Sequence, residues 1–466
     1  MAQPLVEALQ KKLTENCYPF HMPGHKQGRL LPLFLEPFQG LFAFDLTEIP
    51  GLDNLYRPGG PIKEAQEKAA LTFGAAATFF LVNGATAGLQ AAILASFCPG
   101  EKVALPRNCH RSILGALVLA GVEPVYVTGP YLPELALPLP PGEKEFTSLL
   151  NHYKKEISGV IAVDPDYFGI SPPLRKVGEK QIVDAAHGAH FPFHPSFPPH
   201  PGEKGALFWV HGAHKTLPVP TPAALLHLGD SRKKEDALRA LALVQTSSPS
   251  YLLMAALDGA RALLEEKGEK LYSELAERVH ELKEFIRRLG LRCLEEEDLP
   301  AGYRLDWSRL YLITADAGIC GTRAAAWLAE KGFQAEIANA GGVLFIFSPA
   351  DSREDMGRLA AVLEEMMFSL EREKRSLPAP SLPPVPSLSR PLLSLREVWF
   401  GPRRRLSLRE ATGKICASFV VPYPPGVPVL CPGEEITPQI LDYLEYLQKE
   451  GIPVAGVEDN TIEVTE

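Results

Sequence analysis

The chain has 466 residues, 46% of them apolar, and a formal net charge of −9. A length of this kind fits about three domains with sizeable cores. Its basic residues are dispersed, which leaves no footprint for nucleic acid or an anionic membrane surface, and no apolar run approaches the roughly 20 residues a bilayer span takes.

The N-terminus, MAQPLVEALQKKLTENCYPF, lacks the apolar core of a signal peptide, and residues 1–60 read as an N-terminal segment. From Pro61 helices and strands alternate. IKEAQEKAALTFGA reads as a helix, TFFLV (Thr78–Val82) as a buried strand and AGLQAAILASF as a helix. KVALP, HRSILGALVLAG and PVYV continue the pattern, and short apolar runs follow at 159–164, 181–184, 206–210 and 223–227. Strands alternating with helices of this length predict a doubly wound, parallel-rich α/β domain over 61–250. A long helical stretch from Tyr251 leads to a smaller α+β domain ending near residue 375, with LYLIT and GVLFIF as strands. Residues 376–391, rich in proline and serine, read as a semi-rigid linker. Residues 392–466 form a separate C-terminal module, in which Arg403–Arg405 reads as a solvated turn. Seven cysteines without a CxxC pair read as reduced thiols of a cytoplasmic protein.

The tetrapeptide HGAH occurs twice, at His187–His190 and His211–His214, and only the second copy is followed by a lysine, Lys215. A metal site is the weaker reading. HExxH is absent, and Pro192 and Pro195 break any helix that would present His187, His190 and His194 together. The stronger reading starts from strand ends. Asp184 closes one strand and Lys215 follows another, and ligands of an open parallel sheet bind at such ends. NGATAG supplies a turn at Gly84, with the amides of Ala85 and Thr86 at a helix N-terminus, a cup for phosphate to which the Thr86 hydroxyl adds a donor. PRNCHRS puts His110 at another strand end. Phosphate cup, buried carboxylate, lysine and a ring to stack suit pyridoxal 5′-phosphate (PLP). Lys215 would carry it covalently, Asp184 would hold its pyridine nitrogen protonated, and His110 and Ala186 would cover its two faces.

These residues resemble the bacterial ornithine/lysine/arginine decarboxylases. FHMPGHKQG (20–28) is similar to that family's opening motif, and FGAAATFFLVNGATAG, LPRNCHRSILGALVLAG, DPDYFGI, DAAHGAH, AHKTLP, TSSPSYLLMAALD, PYPPGVPVLCPGEEIT and GIPVAGVEDNT follow in family order. With no receiver-like segment ahead of the first motif, the chain looks like the short bacterial arginine/lysine decarboxylases. The resemblance implies PLP fold type I, with an aspartate aminotransferase-like large domain, a small α+β domain and an extra C-terminal α+β module. It also implies decarboxylation of arginine, lysine or ornithine in polyamine biosynthesis, and a homodimer or larger homo-oligomer. Lys215, His110 and Asp184 take the catalytic roles. Gly84, Ala85, Thr86, Ala186, His187, His214 and Ser248 join His110, Asp184 and Lys215 around the cofactor, with Ser248 reaching the phosphate of the neighbouring subunit. No metal is expected. Gly212 departs from the family's serine, and TPAA (221–224) from its polar segment after the lysine. An aminotransferase would need an arginine clamp that no motif places, and the departures at Gly212 and Pro222 suit a catalytically weak regulatory homologue. The substrate's distal cation calls for a carboxylate, and DLTEIPGLDNL offers Asp45, Glu48 and Asp53.

Overall fold

The computed structural model describes residues 1–15, 17–135, 137–373, 391–422, 427–449 and 452–466. The linker expected at 376–391 lies outside the described residues, apart from Pro391. The chain forms two compact units. The first comprises Met1–Ser96, Val163–Tyr167 and Leu174–Ser273, and the second Phe97–Ala162, Phe168–Pro173 and Glu274–Glu466.

In the first unit four strands lie in the order Ala77–Leu81, Ala224–Leu228, Phe208–His211, Gln181–Asp184. All four residues of Phe208–His211 are buried, and so are all five of Ala224–Leu228. This two-sided burial explains their continuous apolar runs. Ala224–Leu228 runs antiparallel to both neighbours, while Gln181–Asp184 runs parallel to Phe208–His211. The reversal has a local cause. Residues 212–223 contain Pro218, Pro220 and Pro222 and no α-helix, too little for a crossover connection. Two successive reversals leave Ala77–Leu81, Phe208–His211 and Gln181–Asp184 pointing the same way.

The helix Gly84–Ser96 packs on this sheet through small residues, Ala87, Gly88, Ala91 and Ala92. A Cβ on Gly88 would stand 2.6 Å from Leu81 Cδ1 and 2.9 Å from Val210 Cγ1, so only glycine lets the helix lie this close. Gly84 takes a left-handed φ of +77° where the strand turns into the helix. The helix Pro61–Thr72 opens under Asp53, whose carboxylate accepts the amides of Gly59 (2.9 Å), Gly60 (2.8 Å) and Ile62 (2.8 Å).

In the second unit Lys102–Pro106 pairs in parallel with both Glu123–Val127 and Ile157–Val163. A four-stranded antiparallel sheet follows, in the order Arg292–Cys293, Arg309–Ile313, Gly342–Ile346, Ile337–Ala338. Its core gathers Ile286, Leu312, Leu328, Leu363 and Met366. The last 75 residues have a core of their own around Leu408, Cys416, Leu430, Ile440 and Leu444. Here the arginine run corrects the expected turn. Arg403–Ser407 is a strand paired with Thr461–Thr465, and Arg405 meets Glu458 at 2.8 Å. Exposed charges on an outer strand of a small sheet keep it from pairing with other chains.

Candidate active site

The three co-directional strands of the first unit bring their C-terminal ends to one edge. Leu81 lies opposite Ala224, Leu225 opposite His211, and Val210 opposite Asp184. Just beyond that row come Gly84, Ala85 and Thr86, then Ala186 and His187, then His214 and Lys215. Asp184 is 5% exposed, and its Oδ1 accepts the Ala186 amide at 3.1 Å. Its other oxygen has no hydrogen-bond partner among the described residues. Lys215, half-buried in a single 3-10 turn (Ala213–Lys215), places Nζ 2.9 Å from His187 Nε2. The Tyr167 ring lies 4.7 Å from that of His187. Neither contact is encoded in a local motif. Gly212 finds a steric reason: a Cβ there would stand 3.0 Å from Ala186 O and 3.3 Å from Lys215 Cδ. Glycine gives the lysine stem its room. His214 Nδ1 lies 3.1 Å from Ala223 O.

The segment carrying Ser248 begins beside the cup of its own chain. Gln245 Oε1 accepts the Val82 amide (3.1 Å), and Asn83 Oδ1 accepts the Thr246 amide (3.1 Å). Ser248 itself is exposed, its amide donating to Thr246 Oγ1 at 3.1 Å. NGATAG contains Asn83, but neither its tie to Thr246 nor that of Gln245 to Val82 is legible in the sequence, because amide side chains that join loops carry no spacing signal.

His110 belongs to the second unit, where it is the exposed N-cap of the helix Arg111–Ala120. Its Nδ1 accepts the Ser112 amide at 3.2 Å. An amide only donates, so in this geometry Nδ1 is bare and the ring's proton sits on Nε2.

The two HGAH copies place their histidines in four different settings. His187 meets Lys215. His190 lies in an aromatic cluster with Phe191, Phe197 and Tyr272. His214 meets Ala223 O, and His211 is buried against His227. Among the described residues, no group of three or more His, Cys, Asp or Glu is placed to hold a metal.

The buried pair has its own consequence. His227 Nε2 lies 3.1 Å from His211 Nδ1, and Thr78 Oγ1 lies 2.8 Å from His227 Nδ1. One consistent proton order runs from the Thr78 hydroxyl to His227 and on to His211, with both rings neutral. Burial holds both pKa values well below 6.5. Below about pH 6.5 the unfolded chain takes up protons that the folded chain refuses. The pair's stabilisation is therefore fully present above that pH and falls below it, by up to about 2.7 kcal/mol per pH unit. Urea unfolding at a series of pH values from neutral to mildly acidic checks the slope, and His227→Phe is expected to halve the pair's share.

The family model described as Orn/Lys/Arg decarboxylase, major domain, matches residues 3–298, and that described as Orn/Lys/Arg decarboxylase, C-terminal domain, matches residues 390–462. The arginine decarboxylase of Bacillus subtilis (strain 168) is 32% identical over 480 residues, covering 98% of this chain and 96% of that one. The constitutive lysine decarboxylase of Escherichia coli (strain K12) is 24% identical over 563 residues, covering 98% of this chain and 78% of that one. The solved structure of the E. coli constitutive lysine decarboxylase superposes with a TM-score of 0.84 at 20% identity, over 100% of this chain and 82% of that one. L-threonine transaldolase from Pseudomonas fluorescens, solved in its internal aldimine state, gives a TM-score of 0.55 at 16% identity, over 80% of this chain and 83% of that one. The fold is PLP fold type I, and with both family models matched in order, the chain belongs to the Orn/Lys/Arg decarboxylase family.

Proposed function

We propose that this chain decarboxylates a basic L-amino acid, arginine first among them, with PLP as its cofactor. The observation that carries the reading is the gathering of Lys215, buried Asp184 and the Gly84–Thr86 helix start on one edge of the first unit's sheet. The donor set fits the group. A buried carboxylate with one uncommitted oxygen suits a protonated ring nitrogen. First-turn amides of a 13-residue helix suit a phosphate. A half-buried amine beside an imidazole suits a covalent anchor.

When bound, PLP supplies the electron sink for the bond to the departing carboxylate. The chain's residues do the rest. Lys215 anchors the cofactor and returns a proton to the substrate's Cα. His187, within hydrogen-bond reach of its amine, orients that group. Asp184 keeps the proton on the pyridine nitrogen. Ala85 and Thr86 hold the phosphate with Gly84 freeing the turn, and Ser248 of a neighbouring subunit adds a donor. Ala186 would cover one face of the ring, the resemblance assigns the stacking role to His110, and His214 would brace the lysine turn.

Near full-length relatives named arginine decarboxylase favour arginine. Of the three carboxylates weighed for the distal cation, Asp53 is occupied by amides and Asp45 pairs with His25 at 3.1 Å. Glu48 is exposed and makes no hydrogen bond or ion pair among the described residues, which favours it. Exposed Tyr18, Phe20, Leu30, Leu33 and Phe34 support self-association, because an apolar group of this size asks for cover. Seven free cysteines suit a reducing cytoplasm.

The test is incubation with PLP and arginine, lysine or ornithine in turn, followed by chromatography of the amines. Borohydride reduction and peptide mapping are expected to place the pyridoxyl group on Lys215. A label on another lysine, or a keto acid in place of an amine, would contradict the reading.

A further inference from the structure

Arg107 opens the turn after the strand Lys102–Pro106, three residues before His110. It is 5% exposed, and its partner Glu434, in the C-terminal module of the same unit, is 0% exposed. The pair is bidentate, with Nη1 to Oε1 at 2.5 Å and Nη2 to Oε2 at 2.7 Å. Arg107 Nε donates to Pro428 O (3.0 Å) and Nη2 to Val429 O (3.0 Å), so all these donors are spent on residues 428–434. The Tyr126 ring, from the neighbouring strand, lies 4.7 Å from the guanidinium. Glu434 Oε2 also accepts the Cys431 amide at 2.8 Å. Burial pushes the Cys431 thiol up to about 12, so it stays neutral and sets no second anion beside Glu434.

The same module holds the far end of the helix that His110 caps. Arg396 Nη1 donates to Val118 O at 3.1 Å and to Leu119 O at 2.5 Å, where a cation meets the negative end of the helix. Arg107 is thus fastened before the helix begins and Arg396 where it ends, with His110 just inside the first fastening.

We propose that the C-terminal module acts as a brace for His110. Through Glu434, Arg107 is a positioning residue that fixes the Arg107–His110 turn and hence the imidazole. The catalytic part of this inference rests on the function proposed above. The brace itself does not.

A buried ion pair can be replaced by apolar residues with little loss of stability, whereas removing one partner strands a charge. The decisive variant is therefore the double replacement Arg107→Met, Glu434→Leu, with Arg396→Met as a control at the helix's other end. The double variant is expected to melt close to the parent. Amide exchange by mass spectrometry, without substrate, is expected to be at least tenfold faster over residues 108–113 and over 428–434, where the Cys431 amide loses its acceptor, and unchanged elsewhere in the unit. With arginine and PLP, kcat is expected to fall at least tenfold while KM moves less than threefold. Unchanged exchange at 108–113, or unchanged kcat in a variant of parental stability, would overturn the brace. If the double variant does not fold, Arg107→Lys, which keeps the charge and loses the fork, is read by the same criteria. If the parent makes no amine from any of the three amino acids, the functional reading fails, and exchange together with the visible circular dichroism of bound PLP still decides the brace.

Discussion

Lys215→Ala is expected to abolish amine formation while leaving the fold intact. The side chain is half-buried on a 3-10 turn that lies beyond the end of the strand Phe208–His211. Removing it costs few apolar contacts, so the melting temperature should stay near the parent's. The chemical loss is of another order. Without the amine there is no covalent anchor and no group to return a proton to Cα. Losing both is expected to lower turnover by at least roughly four decades, about 5.5 kcal/mol of barrier. The expected result is a variant that still takes up PLP but yields no pyridoxyl peptide after borohydride. Lys215→Arg is the companion. It keeps the positive charge and most of the length, but a guanidinium does not give up its proton to act as a nucleophile. If Lys215→Arg retained substantial turnover, charge alone would be the lysine's contribution and the anchor would lie elsewhere.

How far the site was readable depends on where each residue's constraint comes from. Asp184, Lys215 and the NGATAG turn were legible because strand ends, helix starts and glycine leave local marks. Their meeting at one edge was expected from a parallel sheet. The sheet is parallel-rich, and its antiparallel strand Ala224–Leu228 leaves that edge intact, because two reversals restore direction. Gly88 reads as part of the turn, but its reason is the side chains of Leu81 and Val210, seven residues before and 122 after it. The repeated HGAH posed the sharpest question, and local sequence alone did not answer it. The first histidine of one copy meets the lysine, and the first of the other lies in the core beside His227. Arg107 and Glu434 are 327 residues apart, and nothing at either position marks the other. Pairings of that kind are made by packing, and they become visible only when burial shows that a charge has nowhere else to go.

Asp184→Asn separates the carboxylate's charge from its place in the fold. Asp184 Oδ1 accepts the Ala186 amide, and an asparagine oxygen accepts it equally well. The main-chain link in which Asp184 O accepts the Asp164 amide at 3.0 Å does not involve the side chain. Burial and local geometry should therefore survive, and the variant should fold and bind PLP. What changes is the second oxygen, which becomes an NH₂ group. It brings donors where a protonated ring nitrogen needs an acceptor, and it carries no charge to keep that nitrogen protonated. Near a buried anion a cation is favoured by several pKa units, and near an amide it is not. Turnover is expected to fall by roughly 10²–10⁴-fold, about 2.7–5.5 kcal/mol at 1.36 kcal/mol per decade. KM should change far less, because the lesion acts on charge that develops in the reaction and not on substrate binding. The measurement is kcat and KM for amine formation, with the visible absorbance of the bound cofactor recorded in the same samples. Near-parental turnover in a variant with full PLP occupancy would remove Asp184 from the pyridine nitrogen and leave the buried carboxylate as a structural link to the Ala186 turn.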